Sequence, residues 1–360
     1  VALTSSASSV SESSTSNLTL TATLSVAAKV DVVVTLGASG SAIEGTHYAS
    51  LSNITISAGN TTGTAVFNPT NDNVSGGDKS AIISISSLSG ASASNGSPSS
   101  VTISIIDDES TPTVTLSSSA STVAENGSDL TLTATLSIAS SENVIVTLTG
   151  SGTSTAVSDY ASLSTITISA GSTSGTTTFD PTDDSVYEGS ETAIIAITGV
   201  SGGSAVEDGT QSETITITDS LAAPTVTLSS SVSTVAENGT NPTLTATLNR
   251  QTFEDVTVTI TASGTAIFGT DYTALEQITI SAGETTGTIT ATLVNDSVYE
   301  GDETAILNIT GVSGGGATEN GTQTVTVTLT DSLAAPTATL SASASTVSEK
   351  ASDLTLTATL

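Results

Sequence analysis

A period of 112 residues constrains this chain more than any other feature. The segment Leu18-Thr-Leu-Thr-Ala-Thr-Leu24 recurs at 130–136 and 354–360, and as Pro242-Thr-Leu-Thr-Ala-Thr-Leu248 between them. From Leu24 to Leu136, Leu248 and Leu360 each step is 112 residues. Other landmarks keep the step: Val74, Val186 and Val298; Asp107, Asp219 and Asp331; Pro112, Pro224 and Pro336. Solenoid repeats run to about 20–50 residues, whereas one whole β-sandwich takes about 100. The period therefore predicts beads on a chain: 1–111, 112–223, 224–335, and 336–360 as the first strands of a further repeat.

Each bead reads as strand and turn. Leu130, Leu132, Ala134 and Leu136 alternate with Thr131, Thr133 and Thr135, the period of a half-buried strand. Asn126-Gly127, Ala170-Gly171 and Gly202-Gly203 punctuate as turns. No stretch sustains a 3.6-residue apolar period. The expectation is all-β, with seven antiparallel strands per repeat forming an Ig-like sandwich. For repeat two these are A about 113–124, B 130–137, C 143–149, D 163–169, E 175–180, F 191–198 and G 211–218. Seven is odd, so each bead enters at one pole and leaves at the other, and successive beads should stack end to end.

The charge is lopsided. Thirty-five acidic residues face only Lys29, Lys79, Arg250 and Lys350, a formal net charge of −31. Such a chain repels phosphate, which argues against nucleic acid and anionic membranes as partners. No apolar run approaches the ~20 residues that span a bilayer, and no signal peptide is visible. The start at Val1 suggests a processed form or a window of something longer. With no cysteine there is no disulfide framework or thiol chemistry. An apolar content of 36% is too high for a disordered acidic tail.

Antiparallel succession puts the A–B, C–D and E–F loops and the exit of G at one pole, where most carboxylates fall. Two carboxylates 4 Å apart repel by about 4 kcal/mol at an effective dielectric of 20. Four basic residues cannot pair them all. Either these loops splay into water as a solubilising surface, or a cation sits among them. Ca²⁺ takes 6–8 hard oxygens from flexible loops, Mg²⁺ wants a tighter octahedron, and Zn²⁺ wants His or Cys.

Asp183-Asp-Ser-Val-Tyr-Glu-Gly-Ser-Glu191 and Asn295-Asp-Ser-Val-Tyr-Glu-Gly-Asp-Glu303 resemble the acidic E–F loop of Calx-β domains. Val123-Ala-Glu-Asn-Gly127, Asp159-Tyr160, Gly269-Thr-Asp-Tyr272 and Ile215-Thr-Ile-Thr-Asp219 extend the likeness over every bead. The resemblance implies calcium held by Glu125, Asp159, Asp183, Asp184, Glu188, Glu191 and Asp219 in repeat two. In repeat three it implies Glu237, Asp271, Asp296, Glu300, Glu303 and Asp331. Repeat one departs, with His47 in place of the C–D Asp and Ser75-Gly-Gly-Asp-Lys79 in the E–F loop, though it keeps Asp107-Asp108-Glu109. Its family-matched acids are Glu12, Asp72, Asp107 and Asp108, too few for a full shell, so calcium there should be weak or absent. Asn295 for Asp183, and a single acid closing G in repeats two and three, point the same way.

His47 is the only histidine and reads as a loop residue, not as a base. No nucleophile–base pair is apparent, and the acidic loops lack the aromatic platforms of sugar clefts, so an enzyme is not expected. Tyr160, Tyr187, Tyr272 and Tyr299 flank the acidic loops and should wedge them against the sandwich rather than bind ligand. The expectation is a calcium-stiffened structural rod segment of an extracellular bacterial adhesin or surface filament. Its partners would be neighbouring repeats of the same or identical chains, with surface or glycan receptors engaged through other domains. Two rival readings are a ligand-binding cell-adhesion module and a calcium-sensing array. The first should show a divergent aromatic-bearing loop in one bead, and the second two unlike domains rather than near-copies.

Overall fold

The computed structural model describes residues 1–360 apart from 274 and 351. Among the described residues there are strands, turns and bends but no helix. In repeat two the chain runs through Thr113–Ser118, Thr122–Ala124, Leu130–Leu136, Val144–Gly152, Ile166–Ile168, Ser174–Phe179, Glu191–Ser201 and Ser212–Thr218. These are strands A to G, with A broken in two.

The break in A has a local cause. Thr113–Ser118 pairs antiparallel with B, Val114 facing Leu136. Ser119 still belongs to that ladder: its amide reaches the Thr131 carbonyl at 2.9 Å, and its hydroxyl accepts the Thr131 amide at 2.9 Å. Two residues on, the Ser121 carbonyl already accepts the Thr216 amide of strand G at 2.9 Å. Serine, whose hydroxyl satisfies a neighbouring backbone group, lets the chain step between sheets without orphaning an amide. One sheet is thus E–B–A with a short F–G edge, and the other is the second half of A followed by G, F, C and D. In repeats one and three that second half of A lies parallel to G. Continuous strand A is the one strand that the alternation misreads.

The alternation otherwise governs burial. Along Leu130–Leu136 the apolar residues are buried while Thr131 and Thr135 are exposed. Leu20, Val32, Val34, Ile54, Phe67 and Ile83 are fully enclosed in repeat one. Burying one such side chain contributes about 1.5–3 kcal/mol. Strand F carries an extra residue against C in every repeat, between Thr35 and Leu36, Thr147 and Leu148, and Thr259 and Ile260.

The chain divides into two compact units. One comprises Val1–Val123, Gly127–Pro181 and Thr192–Thr216, and holds repeat one with most of repeat two. Within it Val74–Ser75, in the E–F loop of repeat one, pairs parallel with Ala139–Ser140, in the B–C loop of repeat two. The other comprises Ala124–Asn126, Thr182–Glu191 and Ile217–Leu360. Within it Val186–Tyr187 pairs parallel with Gln251–Thr252 in the same way. Thr339–Ala342 and Leu356–Thr359 form an antiparallel pair with exposed side chains.

Candidate metal centre

Three groups of carboxylates have ligand atoms within 4.8 Å of one another: Glu12, Asp72 and Glu109; Asp159, Glu188 and Glu191; Asp271, Glu300 and Glu303. Each collects acids that are far apart in sequence.

The C–D acid serves two ends. Asp271 Oδ2 accepts the Ile267 amide at 2.5 Å, and Asp159 Oδ2 accepts from the amide of Thr155 and from its hydroxyl at 3.2 Å. In both repeats one oxygen closes the loop. His47 Nδ1 accepts the Ile43 amide at 2.9 Å, so repeat one keeps the loop closure and lacks the second oxygen.

Strand G's closing acid anchors the E–F loop. Asp219 Oδ2 accepts the amides of Glu188 and Gly189 at 2.7 and 3.0 Å, and Oδ1 accepts that of Leu221 at 2.7 Å. Asp331 repeats this with Glu300, Gly301 and Leu333 at 2.5, 3.0 and 2.7 Å. Those amides, Leu333 first, hold the Asp331 carboxyl below the usual range. Burial alone would raise Asp107, but amides of Gly76, Glu109 and Gly77 more than reverse it. Asp184 and Asp296 each accept an amide inside the loop, from Val186 at 2.8 Å and Val298 at 2.7 Å.

Asp183 lies outside the three groups. Its Oδ1 bonds the Ser220 hydroxyl at 2.6 Å, and the Asn295 amide oxygen accepts the Ser332 hydroxyl at 2.7 Å. The two residues do one structural job, so Asn295 sacrifices no bond that Asp183 makes there.

Glu125 and Glu237 are buried, Glu303 is half-buried, and all three are crowded by other acids. Burial, then the charges of Asp219, Glu188 and Asp184, pushes Glu125 up to about 7. Burial and Asp331, Asp296, Glu300 and Asp271 raise Glu237 as well. Glu303 is pushed up to about 7 by burial and by Asp271 beside it.

Repeat one is better endowed than its family-matched count suggests. Glu109, in a position held by Leu221 and Leu333 in the other repeats, joins Glu12 and Asp72. The run Asp107-Asp108-Glu109 placed acids at this exit, but which of them meets Glu12 was not legible in it. Glu12 Oε1 and Glu109 Oε2 are buried, and no hydrogen-bond donor reaches them among the described residues. Burial first, then Glu109, Asp72 and Asp107, pushes Glu12 up to about 8. Lys79 turns to the E–F backbone, donating to the Gly76 carbonyl. Repeat one therefore retains a Glu12-centred group and lacks the acids that gather around Asp159 and Asp271.

The tyrosines divide. Tyr160 and Tyr272 are buried beside the acids that precede them, whereas Tyr187 is half-buried and Tyr299 is 43% exposed. Tyr187 does not simply wedge its loop against its own sandwich: its ring meets Gly316 of repeat three.

Tandem antiparallel sandwiches, each with an acid-lined pole, define a β-sandwich repeat protein. The Calx-beta domain family matches three times, over residues 1–109, 107–221 and 219–333, and the chain belongs to that family. Similar solved structures include CBD12 from CALX1.2, 16% identical, covering 60% of this chain and 99% of that one at a TM-score of 0.28. The calcium binding domain CBD12 of CALX1.1 is 16% identical, covering 58% and 96% at 0.27. The Yersinia pseudotuberculosis adhesin InvE is 12% identical, covering 60% and 58% at 0.31. A comparison with curated proteins gives no match.

Proposed function

We propose that the chain is a calcium-stiffened structural segment of an extracellular adhesin or surface filament. One observation carries the reading: the segment that bears the acids also makes the junction. Asp184 and Glu188 flank Val186–Tyr187, the two residues that pair with repeat three. Asp72 stands two residues before Val74–Ser75, which pairs with repeat two. Ordering the loop orders the clasp.

The donor set suits a hard cation. It is all oxygen, it includes buried carboxylate oxygens without a donor in repeat one, and its acids raise one another's proton affinity. Asp159, Glu188 and Glu191, with Glu125, Asp184 and Asp219 nearby in sequence or charge, would hold calcium in repeat two. Asp271, Glu300 and Glu303, with Glu237, Asp296 and Asp331, would do so in repeat three. Bound calcium supplies positive charge that offsets the mutual repulsion of these acids. Repeat one, with His47 in place of the C–D acid and Lys79 in the loop, binds more weakly.

The surface location rests on family membership and on the function itself. No helix among the described residues is long and apolar enough to cross a membrane.

Small-angle scattering and single-molecule stretching of the full chain, with calcium and with chelator, test the proposal. Calcium should narrow the distribution of end-to-end distances and raise the unfolding force. Identical curves in both conditions would overturn it. Calorimetric titration should give two stronger binding events and a weaker one.

A further inference from the structure

The two internal junctions share a backbone and differ in what fills them. In the second, the Tyr187 carbonyl accepts the Phe253 amide at 3.1 Å, and the ring lies against the F–G turn of repeat three. A Cβ at Gly316 would stand 2.7 Å from the ring's Cε1. In the first, the Ser75 carbonyl accepts the Ser141 amide at 3.0 Å. Ser75 stands one period before Tyr187, and Ser204 one period before Gly316. Here a polar cavity of about 100 Å³ opens among Ser75, Gly76, Ser141, Gly203 and Ser204.

Backbone conformation does not explain Gly316. Its φ is +59°, but Ser204 adopts +53° at the same place one repeat earlier. What a side chain at 316 would meet first is the ring of Tyr187. Non-glycine residues pay a modest cost in this left-handed region, whereas a 2.7 Å contact forces something to move.

We propose that these two positions form a size-matched lock that decides which repeats can follow one another. Tyrosine on the E–F segment requires glycine in the next repeat's F–G turn; serine accepts serine. Repeat three carries the tyrosine half at Tyr299. Its occupant is a Calx-beta repeat with glycine at the place of Gly316, by continuity with the second junction. Repeat one of another copy of this chain does not qualify, because Ser92 stands there at a φ of +47°. The lock rests on the fit of two side chains and involves none of the acids, so its failure and that of the calcium reading are separable.

Hydrogen exchange on the full chain in chelator tests it, read at the Phe253 amide. Gly316→Ser should speed that exchange by about 10-fold or more while leaving the Leu307 amide in strand F unchanged. Adding Tyr187→Ser should restore protection to within about 3-fold of wild type, the mark of a coupled pair. Unchanged protection in the single variant, or no recovery in the double, overturns the proposal. Sedimentation of the wild-type chain should show single molecules; head-to-tail association that Tyr299→Ser abolishes would overturn it too.

Discussion

Phe67 and Phe179 stack on Tyr48 and Tyr160 with ring centroids 4.8 and 4.9 Å apart. One period on, repeat three has Ala291, and Tyr272 meets Phe268 edge-on at 5.9 Å instead. The lost ring leaves a small apolar void bordered by Leu244, Tyr272, Leu275, Ala291 and Leu293. Restoring it with Ala291→Phe should stabilise repeat three by about 1 kcal/mol, from cavity filling and an aromatic pair. Urea unfolding of the full chain, followed by exchange at repeat-three core amides, measures this; a loss of stability would mean the neighbours have already closed in. Asp219 makes the converse case. Its carboxylate serves three amides, so Asp219→Ala should cost about 2–3 kcal/mol locally. The Glu188 and Gly189 amides should lose exchange protection before strand G does.

At the scale of the E–F loop and its surroundings, the acids set a pH dependence. Glu125 and Glu303 lie at about 7 and Glu12 at about 8, all raised first by burial. Unfolded glutamates titrate near 4.3. Between about 4.5 and 8 the folded calcium-free chain thus binds more protons than the unfolded chain, and its stability falls as pH rises. Asp107 and Asp331, held low, act in the opposite sense only at more acid pH. Thermal scans in chelator at pH 5, 6.5 and 8 should therefore show a falling midpoint; a flat or rising series would contradict the burial of these acids. With calcium the order should reverse, because protons and the cation compete for the same oxygens.

For the whole molecule, a net charge of −31 destabilises the folded state through self-repulsion. Raising monovalent salt from 0.01 to 0.15 M shortens the screening length from about 30 to about 8 Å. In chelator the midpoint should rise over that range. Calcium at about 100 times its dissociation constant should add about 2.7 kcal/mol to each repeat that binds it. Repeats two and three should gain more than repeat one, as separate calorimetric transitions would report.

Period and alternation by themselves determined that the chain is a tandem array of sandwiches, because side-chain burial along a strand has a period of two whatever its partners. The position of the acidic pole followed from strand parity alone. What strand parity left open was which acids meet. His47 and Asp159 perform the same loop closure, and Asp183 and Asn295 each accept a serine hydroxyl, equivalences that residue type alone does not announce. Glu109 stands out only once strand G's exit is folded against Glu12. The parallel clasps between repeats and the contact of Tyr187 with Gly316 were decided by the tertiary structure. Each depends on backbone groups or on an absent side chain far away in sequence, and neither leaves a trace in local hydrophobic pattern.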